Sequence, residues 1–342
     1  MKIAFLNIYQ NKVNRGSETF VQELSQRLSK NHTVKIISDY KIDWSRKDMS
    51  GTWQRRLFID YWSLLIARFT LSVIPNLLKN KFDIVFPLNG GWQVAIVRIV
   101  TWLYRGKMLV SGQSGMGWDD RNNLWSFPNT FVALSSKALT WVRKVNPFVK
   151  TIYIPNGVDL KKFIFKGESF KVALKKPIVL AVGAFTEQKR LDLVIKAVSK
   201  IGNASLLIAG GGGELRDKIY DLGVKSLRDR FRVISVPFEK MPEIYRSADV
   251  FTLSSSSSEA FGNVLVEAMA SGLPVVATND PIRKEIVGDA GILINPTNIE
   301  QYTEALRKAL EINWGNKPRK QAEKFDWDKI VKQYEELIGS IQ

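Results

Sequence analysis

The sequence predicts an α/β protein that contains two parallel β-sheets, each covered by helices. Apolar runs of four to seven residues alternate along the chain with stretches of helical period, which is the pattern of parallel strands joined by crossover helices. At 342 residues the chain is about twice the length of a typical domain of ~150 residues. A turn at 155–157 and a lysine-rich stretch at 161–176 divide the strands into two series. We therefore expect two domains of similar build.

Each series predicts a Rossmann-like domain, and the two domains are expected to face each other across a cleft at the carboxyl ends of their strands. We predict a first domain at 1–158, a linker at 159–176, a second domain at 177–325, and a final helix at 326–342 that packs back on the first domain. After the first strand, the apolar residues between Phe20 and Leu28 recur at helical spacing and predict a helix over the sheet. The predicted strands are 3–8, 34–38, 84–88, 108–110, 131–134, 178–182, 205–209, 232–236, 250–253, 275–277 and 291–294.

The composition excludes several kinds of chemistry. The chain has no cysteine, so disulfides, thiolate metal sites and cysteine nucleophiles are excluded, and a reducing compartment is expected. His32 is the single histidine, which is too few for a two-histidine metal site. Because His32 lies between a helix and the second strand, we interpret it as a structural residue.

The formal net charge is +17, and the first 150 residues account for +13 of it. A basic domain attracts nucleic acid, an anionic membrane or phosphorylated substrates, but the lysines are dispersed and no nucleic-acid recognition motif is evident. The most apolar stretch, 57–75, contains Asp60 and Arg68, which argue against a membrane-spanning helix. Aromatic and basic residues nearby suit either a membrane interface or a solvated helix face. They are Trp44, Arg46, Lys47, Trp53, Arg55, Arg56, Tyr61 and Trp62.

The segment 254–278 has the strongest indications of a ligand site. Five serines follow a strand, Gly262 lets the backbone approach a ligand closely, and a helix begins after it. The N–H groups at a helix N-terminus suit a phosphate, and here they belong to Phe261, Gly262 and Asn263. Glu267 lies within the apolar string NVLVEAMA, where a carboxylate needs strong donors such as sugar hydroxyls. Glu259 precedes the helix; taken singly, each glutamate is also consistent with a capping or ion-paired residue.

This segment resembles the Glu-x₇-Glu signature of the family-4 retaining glycosyltransferases, which have the GT-B fold of two Rossmann-like domains. Seven landmarks of that family occur in family order: NRGSE, IPNGVD, VGAFTEQKRLDLVIKA, LLIAGGGGEL, VPFEKMPEIYRSADVFTLSS, SEAFGNVLVEAMASGLPVVAT and VGDAGILINP. The final FDWDKIVKQYEEL is also typical of the family. The resemblance is strongest over residues 150–342 and thinner over the first 150.

The resemblance implies roles for the two glutamates, for Lys189 and Arg190, and for a set of donor-binding residues. Glu267 would hold the nucleotide ribose, and Glu259 would contact the transferred sugar. Lys189, assisted by Arg190, would neutralise the diphosphate leaving group, whose negative charge develops in the transition state. The implied donor-binding residues are Gly16, Gly183, Lys189, Arg190, Gly211, Glu259, Ala260, Phe261, Gly262, Asn263, Val264 and Glu267.

The sequence departs from the family pattern at two positions. Ala184 stands where many members have an arginine that contacts the diphosphate, and Gln113 stands near the place of an active-site histidine. An amide both donates and accepts hydrogen bonds, so Gln113 can still bind a sugar hydroxyl. We therefore include Gln113 with Glu259 and Lys189 among the predicted catalytic residues.

Two further motifs carry little weight. The glycines at 210–213 follow a strand, but Leu215 breaks the spacing of a dinucleotide-binding fingerprint. Asp119 and Asp120 are adjacent, and we expect them to lie in a solvated loop and not in a metal site.

By this resemblance the chain is expected to be a retaining glycosyltransferase that moves a hexosyl unit from a UDP- or GDP-linked sugar to a glycan or lipid-linked acceptor in cell-surface polysaccharide or glycolipid biosynthesis. The resemblance also implies that no cofactor and no obligatory metal are needed, and nucleic acid is not an expected partner. We expect the protein in the cytoplasm, peripheral on the anionic inner face of the cytoplasmic membrane. The alternative is a non-catalytic sugar-nucleotide-binding protein of the same fold; strand one lacks the glycines of a nicotinamide dehydrogenase.

Overall fold

The computed structural model describes residues 1–13, 16–38, 40–43, 50–256 and 259–341. The chain divides into two compact units, one formed by Met1–Asn156 with Ile330–Gln342 and the other by Gly157–Lys329. Each unit contains a six-stranded parallel sheet, so the predicted fold class is confirmed. The predicted interface residues Trp44, Arg46 and Lys47 lie outside the described residues.

The first unit has a sheet with strand order β2-β1-β3-β4-β5-β6. All of its pairings are parallel, and residues Ile3 to Leu6 are buried because helices cover both faces. The strands are β1 Lys2–Leu6, β2 Thr33–Ile37, β3 Ile84–Pro87, β4 Lys107–Ser111, β5 Thr130–Ala133 and β6 Thr151–Tyr153. The helices are α1 Gly16–Leu28, α2 Thr52–Arg56, α3 Tyr61–Asn80, α4 Trp92–Leu103, α5 Trp118–Trp125 and α6 Ser136–Val145.

The second unit has a sheet with strand order β12-β11-β10-β7-β8-β9, again parallel throughout. Its strands are β7 Ile178–Val182, β8 Ser205–Ala209, β9 Phe231–Ile234, β10 Val250–Leu253, β11 Val275–Thr278 and β12 Gly291–Ile294. Its helices are α7 Leu191–Ser199, α8 Arg216–Leu227, α9 Met241–Arg246, α10 Asn263–Ala270, α11 Pro281–Val287, α12 Ile299–Glu311 and α13 Lys317–Ala322. A core of aliphatic residues from β7, β8, α7 and α12 fills the space on one side of the sheet.

The last helix, α14 (Trp327–Ser340), contributes its residues from Ile330 onward to the first unit. The ring of Tyr334 lies 5.9 Å from Phe20 and 6.4 Å from Phe86. Asn31 also donates a hydrogen bond of 2.7 Å to Glu335. The chain therefore returns to the unit in which it began.

The segment 159–176, which we predicted as a linker, belongs to the second unit. The ring of Phe163 is buried and lies 5.8 Å from Tyr245. The N–H of Phe170 donates to the carbonyl of Glu243 at 3.0 Å. Aromatic burial and backbone pairing thus fix this lysine-rich stretch on the unit that follows it.

We expected Asp119 and Asp120 to lie in a solvated loop, and this expectation is wrong. Both residues lie in helix α5. Asp119 is exposed, whereas Asp120 is 2% exposed and accepts a hydrogen bond of 3.2 Å from Asn123. Burial raises the pKa of Asp120 to about 8. The helix turns one carboxyl inward, which the sequence alone did not indicate.

Candidate active site

The predicted donor-site residues of the second unit lie where its strand order reverses. Strand β7 pairs with β8 on one side and with β10 on the other, and ligands of open α/β sheets bind beyond the carboxyl ends of strands at such a point. Gly183 follows β7, and the serines at 254–256 follow β10. The topology therefore brings together two segments that are 70 residues apart along the chain.

Ion pairs join these segments around Glu259. The ammonium of Lys189 donates to Oε1 of Glu259 at 2.6 Å, and Nη2 of Arg283 donates to Oε2 at 3.1 Å. Arg283 is only 2% exposed, and it also pairs with Asp280 and donates to the carbonyl of Ser256. One carboxylate is thus held between two cations that come from different helical segments.

These cations determine the ionisation of Glu259. Burial alone would raise its pKa, but the charges of Lys189 and Arg283 outweigh burial and hold the pKa below its ordinary value. Glu259 is therefore ionised at neutral pH and only accepts hydrogen bonds. An ionised carboxylate that is 15% exposed suits hydroxyl donors.

The position of Lys189 is fixed by hydrogen bonds to the backbone of its turn. It ends a 3₁₀ turn, Glu187–Lys189, whose Gln188 carbonyl accepts from the N–H of Ser256 at 2.9 Å. The hydroxyl of Ser254 donates to the carbonyls of Lys189 and Arg190 at 2.8 and 3.0 Å. Arg190 is half-buried and has a left-handed backbone at φ 48°. The serines after β10 therefore fix the turn that carries both cations.

Glycines make room beside this turn. A Cβ at Gly183 would lie 3.2 Å from Cε of Lys189, and a Cβ at Gly210 would lie 2.0 Å from the carbonyl oxygen of Gly183. At Gly211 a Cβ would meet Oγ of Ser235 at 2.9 Å. Glycine at these positions lets the loops after β7, β8 and β9 approach one another closely.

The predicted phosphate-binding turn comes directly before α10. Gly262 is the N-cap at φ +98°, and a glycine has no side chain with which to cap the helix. The ring of Phe261 is buried against Phe325 at 5.7 Å, so its backbone and not its ring is available to a ligand. Ala260, Asn263 and Val264 are half-buried. The positive end of the α10 dipole therefore lies close in sequence to Glu259.

Glu267 lies within α10 and is 7% exposed. The hydroxyl of Tyr245, on α9, donates to its Oε2 at 2.8 Å. Tyr245 is itself fully buried, and burial followed by the charge of Glu267 raises its pKa well above the ordinary value. A neutral phenol thus orients the carboxylate.

The two predicted residues of the first unit are Gln113 and Gly16. Gln113 and Asn156 form a reciprocal amide pair, with hydrogen bonds of 2.9 and 3.0 Å, and Nε2 of Gln113 also donates to Ser111 at 3.0 Å. Both amide hydrogens of Gln113 are therefore engaged, which leaves only its oxygen for a further hydrogen bond. Gly16 begins α1, directly after two residues that lie outside the described part.

A polar cluster at the carboxyl ends of β1 and β3 was not predicted. Asn7 donates to Gln10 and to the buried Glu18, both at 3.2 Å, and Asn89 donates to Asn7 at 3.0 Å. The second carboxylate oxygen of Glu18 is buried and has no partner among the described residues. The sequence signal for this cluster is the string of amides around β1.

Arg283, Asp280 and Tyr245 were also missed. Asp280 caps α11 by accepting from the N–H groups of Ile282 and Arg283 at 2.9 and 3.1 Å. An Asp-Pro pair is a recognisable helix start, so the position of Arg283 one turn later could have been found. Among the described residues, no group of three acidic or histidine side chains is arranged as ligands of a metal ion.

The fold is that of the GT-B glycosyltransferases. The whole chain superposes on the structure of HepE from Anabaena in complex with UDP-glucose, with a TM-score of 0.77, 16% identity, and coverage of 99% of this chain and 100% of that one. At this identity the likeness demonstrates the shared fold alone.

The match to a known family lies in the second unit. Residues 164–325 match the family model described as "Glycosyl transferases group 1". An uncharacterized glycosyltransferase of Methanocaldococcus jannaschii is 35% identical over an alignment of 212 residues that covers 54% of this chain and 52% of that protein. The N-acetylgalactosamine-N,N'-diacetylbacillosaminyl-diphospho-undecaprenol 4-alpha-N-acetylgalactosaminyltransferase of Campylobacter jejuni is 29% identical over an alignment of 185 residues that covers 52% of this chain and 50% of that protein. The chain thus spans about half the length of these curated relatives.

Proposed function

We propose that this protein is a retaining glycosyltransferase that moves a hexosyl unit from a UDP- or GDP-linked sugar to a glycan or lipid-linked acceptor. The observation that carries the proposal is the cluster of Lys189, Glu259 and Arg283 at the strand-order reversal, within the residues that match the family. The superposable structure that contains UDP-glucose supports a nucleotide-linked donor.

The cluster supplies the electrostatics that the reaction needs. Departure of a nucleoside diphosphate develops negative charge, which a fixed cation stabilises in the transition state. An ammonium has three donors, and one of them reaches Glu259. The donor phosphate can therefore bind Lys189 without breaking the ion pair, with Arg190 as a second cation.

Glu259 acts as a binding group in this proposal and not as a base. A carboxylate whose pKa is lowered by two cations removes protons poorly. We therefore assign the deprotonation of the acceptor hydroxyl to the donor phosphate, with attack on the face that the leaving group vacates. Glu259 accepts hydrogen bonds from sugar hydroxyls, and Glu267, oriented by Tyr245, accepts those of the ribose.

The phosphates need no metal in this scheme, because cationic side chains and the N-terminus of α10 provide the positive charge. We place the protein in the cytoplasm, peripheral on the anionic inner face of the membrane, where a lipid-linked acceptor would be presented. The expected process is the assembly of a cell-surface polysaccharide or glycolipid. The basic first half of the chain supports this placement.

The test is a thermal-shift panel with UDP, GDP, ADP and their sugar conjugates, each with and without EDTA. Wild type is compared with Glu267→Gln and with the matched control Glu304→Gln, whose carboxylate is 53% exposed on α12. We expect one base to raise the melting temperature of wild type and of the control, with EDTA making no difference, and Glu267→Gln to lose the shift. Stabilisation that is equal in all three proteins would contradict the assigned site.

A second candidate is a non-catalytic sugar-nucleotide-binding protein, which the engaged amide of Gln113 favours. If both amide hydrogens stay engaged, Gln113 offers a sugar hydroxyl only a hydrogen-bond acceptor, whereas a histidine at this place would offer a donor. Donor turnover in the presence of lipid-linked and free glycan acceptors separates the two candidates. Nucleotide binding without turnover with any acceptor would favour this second candidate.

A further inference from the structure

Helices α3 and α4 contact each other on the outside of the first unit, and their outer surfaces are apolar. On α3, Leu64, Leu71 and Leu78 are spaced seven residues apart and are 43%, 54% and 38% exposed. On α4, Trp102 and Leu103 are 60% and 72% exposed. We call the outer surface of these two helices the α3–α4 face.

The α3–α4 face is not part of a protein core. The stretch Thr52–Asn80, which contains α2 and α3, is long and apolar enough to cross a membrane by length and composition, yet only 28% of its apolar window is buried. The opposite side of α3 is occupied, because Phe69 and Leu77 pack in the core beneath the sheet. A helix bound in this way cannot span a bilayer without dismantling the unit, but it can lie along a bilayer surface.

The charged side chains of α3 and α4 are all basic. Neither α3 nor α4 contains an acidic residue, and the acid that precedes α3, Asp60, is buried as its N-cap. Arg68 and Lys79 are exposed among the leucines of α3. On α4 the guanidinium of Arg98 lies 4.6 Å from the ring centre of Trp102.

The apolar and basic residues of the α3–α4 face together favour an anionic bilayer as its partner. Tryptophan and leucine between arginine and lysine suit the headgroup boundary of an anionic bilayer, which attracts each nearby basic residue. A second copy of the chain fits less well, because a two-fold contact would bring Arg68 and Lys79 of both copies together.

We propose that the α3–α4 face docks the first unit on an anionic membrane, with Leu71, Trp102 and Leu103 entering the headgroup region. The α3–α4 face would thus be the surface for the membrane association that is included in the proposed function. Docking through this face depends on neither donor binding nor turnover. The predicted interface residue Trp53, which is 61% exposed on α2, lies at the beginning of the same helical stretch.

The test is flotation of the full chain, without nucleotide, with vesicles of phosphatidylcholine alone or mixed with phosphatidylglycerol. The apolar variant is Leu71→Ser/Trp102→Ser/Leu103→Ser, and the charge variant is Arg68→Gln/Lys79→Gln. The matched control is Tyr220→Ser/Val224→Ser, two residues of α8 in the second unit that are 49% and 44% exposed. Because all substituted residues are exposed, we expect each variant to keep the circular dichroism and melting temperature of wild type.

We expect wild type and control to float with the mixed vesicles only. The apolar variant should lose at least tenfold in partitioning, and the charge variant roughly fivefold for each charge removed. The proposal is overturned if wild type stays at the bottom of the gradient, or if the apolar variant floats as well as the control. It is also overturned if the face instead forms a dimer in light scattering that the apolar variant abolishes. The nucleotide panel is independent, so failure here leaves the transferase proposal to its own test.

Discussion

The guanidinium of Arg283 is shared by two carboxylates inside the second unit, and its removal tests whether that sharing stabilises the fold. Its side chain is 2% exposed, against 15% for Glu259 and 8% for Asp280. Arg283→Met keeps most of the buried volume but leaves both carboxylates without their common cation. Breaking a buried ion pair in this way costs about 3–5 kcal/mol, a large share of the ~5–15 kcal/mol that stabilises a typical domain.

The assay is urea unfolding of Arg283→Met and wild type between pH 4 and pH 8. In wild type the pKa of Glu259 lies below its ordinary value, so its ion pairs contribute stability that is present above the unfolded pKa and is lost as pH falls through the folded pKa. Arg283→Met raises the pKa of Glu259 and removes much of this contribution. The deficit of the variant should therefore be largest near pH 8 and shrink on acidification.

A double-mutant cycle isolates the pair. In the Glu259→Gln background, Arg283→Met should cost less than in wild type, and the difference measures the coupling between the two side chains. A loss below about 1 kcal/mol at pH 8, which is typical of an exposed pair, would refute the reasoning. A deficit that does not change with pH would also refute it.

The remaining predictions concern a glycine, a phenol and an inward carboxyl. Gly210→Ala should abolish nucleotide-induced stabilisation in thermal-shift assays, because its Cβ would lie 2.0 Å from the Gly183 oxygen. Tyr245→Phe removes the donor 2.8 Å from Glu267; it should cost about 1–3 kcal/mol in urea unfolding and weaken nucleotide binding in calorimetry. Asp120, with a pKa of about 8, binds a proton more tightly in the folded than in the unfolded state, so it lowers stability as pH rises from about 4 to 8. Asp120→Asn should flatten that decline in urea unfolding measured across the same pH range, whereas an unchanged slope would place the titration elsewhere.

The central strands could be predicted because they are buried on both faces. A strand of this kind is a continuous apolar run between turn signals, and β7, β8 and β10 begin and end at the predicted residues. Strand β6 was missed because Thr151–Tyr153 has three residues, all half-buried at the edge of the sheet. A run that short carries no periodicity.

The candidate site could be predicted as segments but not as contacts. Glu259 and Lys189 were found because each lies in a recognisable string, whereas Arg283 acts on Glu259 only because α11 follows β11, the neighbour of β10 in the sheet. Gln113 illustrates the same limit. Its residue type was visible, but its pairing with Asn156 depends on a turn 43 residues further along the chain.

If the second unit binds a donor as proposed, the ion pairs around Glu259 hold the site in position before a ligand arrives. The backbone turn that carries Lys189 is fixed by Ser254, and the ammonium is directed by Glu259, which Arg283 holds from the other side. A phosphate that binds this ammonium meets a group already in position, so little reorganisation accompanies the development of charge in the transition state. The same arrangement keeps Glu259 ionised. Arg283 is therefore expected to affect both stability and turnover, although it is nearly fully buried.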